Sequence, residues 1–288
     1  MVLSAFSINT GDMGERLKDC TAIITGGARG QGAAEARRFG EEGAFVVVAD
    51  VLDGEGRALA TELGDSATFH HLDVTDEENW SAVVSGLVDQ GRSIDILVNN
   101  AGISGPIGLL EDNDVSAWVN TIQVNLLGVY LCCRAVVPLM RQKNKGRIVN
   151  LSGAGAANAW SNMTAYCSSK AAVVRLTEVL SLELAGTGIT VNALGPGSVH
   201  TRMWDEMTKA AGEVGADQIY DTGIRVTSGG GASIDRCADL AVWLAGAKSD
   251  GLSVRIISAF NDCFEELTPN VPSIMKSDLY TLRRVDPA

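Results

Sequence analysis

Tyr166 and Lys170 stand four residues apart in Ala165-Tyr166-Cys167-Ser168-Ser169-Lys170. On a helix that spacing sets a phenol and an ammonium on one face, a turn apart. A phenol at its reference pKa of about 10 exchanges protons poorly at neutral pH, and a neighbouring cation favours its ionised form. The pair has the makings of a general acid–base couple. Tyrosine and lysine also meet at this spacing on ordinary exposed helices, so the pair gains meaning from the rest of the chain.

A second signature lies upstream. Thr25-Gly26-Gly27-Ala28-Arg29-Gly30-Gln31-Gly32 follows the apolar Thr21-Ala22-Ile23-Ile24 and precedes a pattern in which Ala33, Ala36 and Phe39 share a helix face. Strand, glycine turn and helix form the context of a phosphate-cradling loop. Glycines let the backbone approach a ligand, and the free amides at the helix start attract an anion. Phe45-Val46-Val47-Val48-Ala49-Asp50 then reads as a buried strand ending in a carboxylate. Asp50 lies 24 residues after Gly26, near the spacing at which an acid accepts from the ribose hydroxyls of an adenosine.

These groups need a common frame. Strands are expected at 20–25, 45–50, 67–72, 94–99, 147–151, 189–194 and 253–258, and helices at 30–43, 76–90, 113–141, 163–186 and 234–247 among others. The alternation predicts an α/β, doubly wound Rossmann fold: a seven-stranded parallel sheet between two helical layers. In such sheets ligands bind beyond the carboxyl ends of the strands, which brings Gly26, Asp50, Asn99, Ser152 and Pro196 to one edge. Residues 1–288 are expected to form a single domain. Residues 202–233, with Gly212, Gly215, Gly223 and Gly229-Gly230-Gly231, read as a flexible segment over a bound substrate.

Composition narrows the partners. A net charge of −12 disfavours nucleic acid and anionic membrane surfaces. No run approaches the roughly 18 apolar residues of a membrane span. Met1-Val2-Leu3-Ser4-Ala5-Phe6 lacks the features of a secretory leader, so a cytoplasmic location is expected. The six cysteines show neither a C-x-x-C pair nor regular spacing, and no metal site is expected. Cys132 and Cys133 read as small apolar filling, and His200 as a candidate for the pocket wall.

The motifs together resemble the short-chain dehydrogenase/reductase family, in its single-domain branch. The glycine pattern T-G-x-x-x-G-x-G runs from Thr25 to Gly32, and N-N-A-G is Asn99-Asn100-Ala101-Gly102. The adenine-side pair is Asp73-Val74, the helical asparagine is Asn125, Y-x-x-x-K spans Tyr166 to Lys170, and P-G is Pro196-Gly197. The segment from Gly26 to Thr75 is similar to bacterial hydroxysteroid dehydrogenases of this family. The resemblance implies hydride transfer between nicotinamide and a secondary alcohol or ketone, with Tyr166 passing a proton to or from the substrate oxygen. Lys170 would lower the tyrosine pKa and hold the nicotinamide ribose, and Asn125 would organise water leading from Lys170. The implied cofactor contacts are Gly26, Arg29, Gly30, Gln31, Gly32, Asp50, Val51, Asp73, Val74, Asn100, Ala101, Gly102, Tyr166, Lys170, Pro196, Gly197, Val199 and Thr201. Asp50 would repel the 2′-phosphate of NADP while Arg29 would welcome it; NAD is expected over NADP.

Two departures stand out. The family's catalytic serine falls thirteen residues before the tyrosine, and here that position is Gly153. Ser152, shifted by one residue, is the expected substitute; Thr164, Ser161 and a crippled site remain open. The usual Val-Asp-Gly-Gly ending of the last strand is absent, and a tail at about 263–288 follows, expected to pack over the pocket or reach a neighbouring subunit. The family also implies a homo-oligomer, a tetramer or dimer. Ala154, Trp160, Met163, His200, Met203, Trp204 and Met207 are the expected substrate wall. Their apolar character favours an alicyclic, terpenoid or steroid-like alcohol or ketone. Two other readings use the same residues: an NAD-binding sensor or scaffold with decayed catalysis, and an epimerase or dehydratase.

Overall fold

The structure, a computed structural model, describes residues 14–284; the expectation of no leader at Met1–Phe6 falls outside them. Strands β1 (Thr21–Thr25), β2 (Phe45–Asp50), β3 (Ala67–His71), β4 (Ile96–Asn99), β5 (Gly146–Leu151), β6 (Ile189–Gly195) and β7 (Ile256–Ser258) make one sheet. All pairs are parallel, in the order β3-β2-β1-β4-β5-β6-β7. The central strands are continuous apolar runs because helices cover both faces. The order reverses between β1 and β4, so the crevice beyond their carboxyl ends is where a ligand fits.

The helices are α1 (Gly30–Glu41), α2 (Asp53–Leu63), α3 (Glu77–Asp89), α4 (Val115–Ile122), α5 (Gly128–Gln142), α6 (Thr164–Glu183), α7 (Arg202–Val214), α8 (Asp217–Arg225), α9 (Ile234–Ala245) and α10 (Val271–Ile274). On one side of the sheet, Phe39, Leu59, Leu240 and Trp243 pack with Val46 and Val48. On the other, Trp80, Val136, Met140 and Val173 pack with Val47 and Leu97. The three layers expected from the sequence are therefore present.

The long helix expected over 113–141 is broken. Residues Gln123–Leu127 form a π turn between α4 and α5, and Asn125 sits in it. Such turns shift the register of the helix faces on either side. The stretch Val115–Gln142 is long and apolar enough by length and composition to cross a membrane. Here Val129, Cys132, Cys133, Val136 and Met140 bury one face of α5 in the core beneath the sheet.

Residues 202–233, expected as a flexible cover, are largely helical. They fold as α7 and α8, joined at Gly215 in a left-handed C-cap, followed by a short π turn at Val226–Gly230. Two of the glycines serve close packing: a Cβ on Gly223 would stand 1.9 Å from Thr208 Oγ1, and one on Gly212 would stand 3.1 Å from the Tyr220 ring. Trp204, Met207 and Ala211 share the buried face of α7 and meet Ile219, Met163 and Val226. Glycine content alone does not separate a mobile loop from two helices in close contact.

The tail folds back onto β7 and α6, away from the cavity at the strand ends. Tyr280 O accepts from Ile256 N at 2.8 Å, and the buried Arg255 donates to Ile274 O and Ser277 O at 2.8 and 2.9 Å. Arg283 Nη1 meets Glu178 Oε1 at 2.7 Å, where the glutamate side chain is 4% exposed. Arg175 also pairs with Glu178, and Arg283 is itself partly exposed, so losing one partner is a modest cost. Arg283→Ala should cost about 1 kcal/mol and lower the thermal midpoint by about 2 °C. An unchanged midpoint by calorimetry would show that the tail is not anchored there.

Candidate active site

The carboxyl ends of the strands open into a cavity of about 620 Å³. Every one of the implied cofactor contacts lines it, from Gly26 to Thr201. One end is the glycine turn. A Cβ on Gly32 would stand 2.2 Å from Gly26 O and 2.6 Å from Asn100 Nδ2, so only glycine lets α1 start this close to the turn. Asn100 Nδ2 donates to Thr25 O and Gly26 O at 2.9 and 3.0 Å. Its backbone N–H and that of Ala101 both donate to Thr25 Oγ1 at 3.1 Å. The loop after β4 is thereby stapled to the turn after β1.

α1 has no side-chain cap and no acidic residue in its first turn. Its leading amides face the cavity, as an anion-binding helix start requires. Asp50 closes this end at the tip of β2, 7% exposed. Its Oδ2 accepts from Ala28 N at 2.9 Å and its Oδ1 from Leu52 N at 3.1 Å. The carboxylate is held in place with lone pairs to spare for a ligand. An extended dinucleotide fits this set: amides for the pyrophosphate, a fixed carboxylate for the ribose.

Tyr166 and Lys170 meet the other end from α6. The phenol lies against Gly153, whose φ is +88° and where a Cβ would stand 2.5 Å from Tyr166 Oη. Lys170 Nζ donates to Leu151 O at 2.9 Å and lies 5.9 Å from the tyrosine ring centroid. Asn125 reaches across from the π turn. Its Oδ1 accepts from Ile103 N at 2.8 Å, and its Nδ2 donates to Ile103 O at 2.9 Å and Ser169 Oγ at 3.1 Å. Ser169 in turn donates to Tyr166 O at 2.7 Å. The asparagine ties the loop after β4 to the helix that carries the tyrosine.

Comparison with known proteins agrees with this geometry. The family profile described as short chain dehydrogenase matches residues 20–212. The chain belongs to the short-chain dehydrogenase family. A 3-alpha-(or 20-beta)-hydroxysteroid dehydrogenase of Mycobacterium bovis is 43% identical over 193 residues, covering 67% of this chain and 74% of the relative. A trans-4-hydroxycyclohexanecarboxylate dehydrogenase of Sinomonas cyclohexanicum is 39% identical over 209 residues, covering 69% of this chain and 80% of the relative. Among solved structures, levodione reductase superposes with a TM-score of 0.77 at 27% identity, covering 84% of this chain and 96% of that one. This short-chain dehydrogenase is an oxidoreductase of the alcohol–ketone type, and its cofactor is NAD or NADP.

Several sequence expectations need correction in this short-chain dehydrogenase. Ser152 does not reach the tyrosine. It is 1% exposed, and its Oγ donates to Leu194 O at 3.0 Å, on the β6 side. Successive residues of an extended chain face opposite sides, so Gly153 and not Ser152 meets Tyr166. Thr164 Oγ1 accepts from Trp118 Nε1 at 3.1 Å, and Ser161 Oγ contacts Gln218 at 3.4 Å; neither lines the cavity. Asn125, expected to organise water leading from Lys170, is fully buried with its side chain bonded to Ile103 and Ser169.

The acid–base expectation also shifts. Burial, and next the neighbouring Cys167, push the Tyr166 phenol up to about 12, and burial brings the Lys170 ammonium down to about 8. Both shifts come from desolvation, which favours the neutral form of each group. Of the expected substrate wall, Met203 and Trp204 line the cavity. Met163 and Met207 are buried in the cluster behind it, and the Trp160 ring meets that of Trp204 at a tilt of 54°, with centroids 5.9 Å apart. His200 is exposed and contacts Asp205 at 3.0 Å. Ile103, Ser104 and Arg202 line the cavity although no sequence motif marks them. Ser104, two residues past N-N-A-G, was the one most open to detection.

Proposed function

We propose that the protein is an NAD-dependent dehydrogenase or ketone reductase for a bulky alicyclic or steroid-like secondary alcohol, with Tyr166 as its acid–base group. The observation that carries this reading is one cavity with a glycine turn and Asp50 at one end and Tyr166 with Lys170 at the other. Nicotinamide, when bound, would supply the hydride chemistry in either direction. The chain does the rest. Amides of the Gly30–Gly32 turn would hold the pyrophosphate, and Lys170 would hold the nicotinamide-side ribose. Tyr166 Oη gives its proton to the substrate oxygen during reduction and takes it back during oxidation. Met203, Trp204 and Ile103 present apolar surface to the substrate, and relatives named for hydroxysteroid and hydroxycyclohexanecarboxylate substrates support that class.

Asp50 favours NAD because its fixed carboxylate repels a 2′-phosphate. Arg29 at the same end is exposed and opposes it less strongly. Asp50→Asn keeps an acceptor for the amide of Ala28 while removing the charge. Calorimetric titration with NADH and NADPH should show a preference for NADH that narrows by roughly tenfold or more in the variant. Equal affinities in the parent protein would remove NAD from the proposal. A homo-oligomer is part of the same reading, since Leu110, Val115, Val119 and Tyr130 are exposed on and beside α4 and α5.

A further inference from the structure

We propose that Ser104 supplies the second hydroxyl at the substrate oxygen, replacing the serine that Gly153 lacks. The proposal rests on the dehydrogenase reading above. Position 153 has no room for a serine in this backbone: its φ is +88°, and a Cβ would meet Tyr166 Oη at 2.5 Å. The neighbouring hydroxyls of Ser152, Thr164 and Ser161 are bonded elsewhere and lie outside the cavity lining. Besides Tyr166, the hydroxyl residues that line the cavity, among the described residues, are Ser104 and Thr201. Thr201 belongs to the far end, where its Cγ2 lies 3.5 Å from the place of a Cβ on Gly30.

Ser104 lies in the segment that passes Lys170. A Cβ on Gly102 would stand 3.4 Å from Lys170 Nζ and 3.2 Å from Asn125 Oδ1. Both backbone polar groups of Ile103 are bonded to Asn125, so the chain entering Ser104 is fixed. The serine hydroxyl is not. Its one hydrogen-bond contact among the described residues is to Gly105 O at 3.4 Å, the outer limit of such a bond. A fixed backbone carrying an uncommitted donor suits a group that must turn toward a substrate oxygen. Asn125 then acts as a positioning residue for both hydroxyls, holding Ser104 through Ile103 and Tyr166 through Ser169.

The chemical role is polarisation. As charge grows on the substrate oxygen, the Ser104 hydroxyl donates a hydrogen bond to it, and Tyr166 transfers the proton. No bond to Ser104 forms or breaks, and the serine keeps its own proton throughout. Donors aimed at a developing oxyanion contribute roughly 10²–10³ in turnover, and an adaptable serine on a loop stands at the low end of that range.

The test uses the full chain and the cyclic alcohol it oxidises fastest. Ser104→Ala should lower kcat by roughly 30- to 100-fold, with the KM for NAD within about twofold of the parent. Ser104→Thr restores a hydroxyl and should recover most of that loss. Ser104→Ala/Gly153→Ser should not recover, because the added side chain collides with Tyr166. A kcat for Ser104→Ala within about twofold of the parent would overturn the proposal. Equal losses in Ser104→Ala and Ser104→Thr would also overturn it, as a packing effect. Tyr166→Phe separates the two levels of inference. If it keeps parental turnover, the acid–base reading itself fails; if it is inactive while Ser104→Ala is normal, only the role of Ser104 fails.

Discussion

Tyr166→Phe is expected to lower turnover by roughly 10³-fold while NADH binding stays within about twofold. The phenol is the proton carrier that the cavity offers beside Gly153. Lys170 donates to Leu151 O, and Thr201 lies by the glycine turn. Phenylalanine keeps the ring and its packing against Gly155 and removes only the hydroxyl. The pH profile carries the sign. With the phenol held up near 12, alcohol oxidation should accelerate as pH rises through the neutral and mildly alkaline range, since the ionised base becomes more abundant. Ketone reduction needs the protonated form and should not gain. The alkaline rise in oxidation should vanish in the phenylalanine variant. Full turnover in that variant would remove the tyrosine from the chemistry.

Glu35→Gln is expected to raise stability by several kcal/mol, and only at the alkaline side. Glu35 lies fully buried on α1 beneath the glycine turn. Its Oε1 accepts from Gln31 Nε2 at 3.1 Å, while its Oε2 has no hydrogen-bond partner. Burial pushes its carboxyl from an ordinary 4.5 up to about 8. The folded protein therefore holds a proton that the unfolded chain releases. The stability linked to this group is fully present below about 4.5 and is lost as pH rises toward 8. The loss is on the order of 3–5 kcal/mol once the whole range is crossed. Glutamine imitates the neutral acid, so urea unfolding should show the variant gaining on the parent as pH increases from 5 to about 8. Parallel stability curves for the two proteins would show that Glu35 is not held neutral. Glu42 works in the opposite sense, because its bond to Arg16 lowers its pKa, and the difference between variant and parent cancels its contribution.

The parts of the fold that were legible in the sequence are those where chemistry and periodicity coincide. β1 and β2 carry unbroken apolar runs, Ala22–Ile24 and Phe45–Ala49, because both faces are covered, and the carboxylate at Asp50 marks where β2 ends. The glycine turn was equally legible, since Gly32 sits where any Cβ would strike Gly26 O. Ser152 was not. Sliding a catalytic role by one residue along an extended chain moves it to the opposite side, and the two-residue period was the signal that argued against it. The π turn around Asn125 was hidden as well, because the apolar pattern of α4 and α5 continues through it. Burial of Tyr166 and Lys170 depends on what packs around α6, so spacing alone set their contact and not the direction of their pKa shifts. The glycines of α7 and α8 did not reveal these helices, because close helix approach and turns draw on one residue type.

The most direct test of the central claim is NADH formation by the full chain with NAD and a panel of secondary alcohols, cyclic alcohols set beside polar sugars. Steady NADH production is expected with one or more bulky alicyclic or steroid alcohols, faster than with the sugars and faster with NAD than with NADP. Bound NAD that stays oxidised across the whole panel, or turnover confined to the sugars, would contradict it.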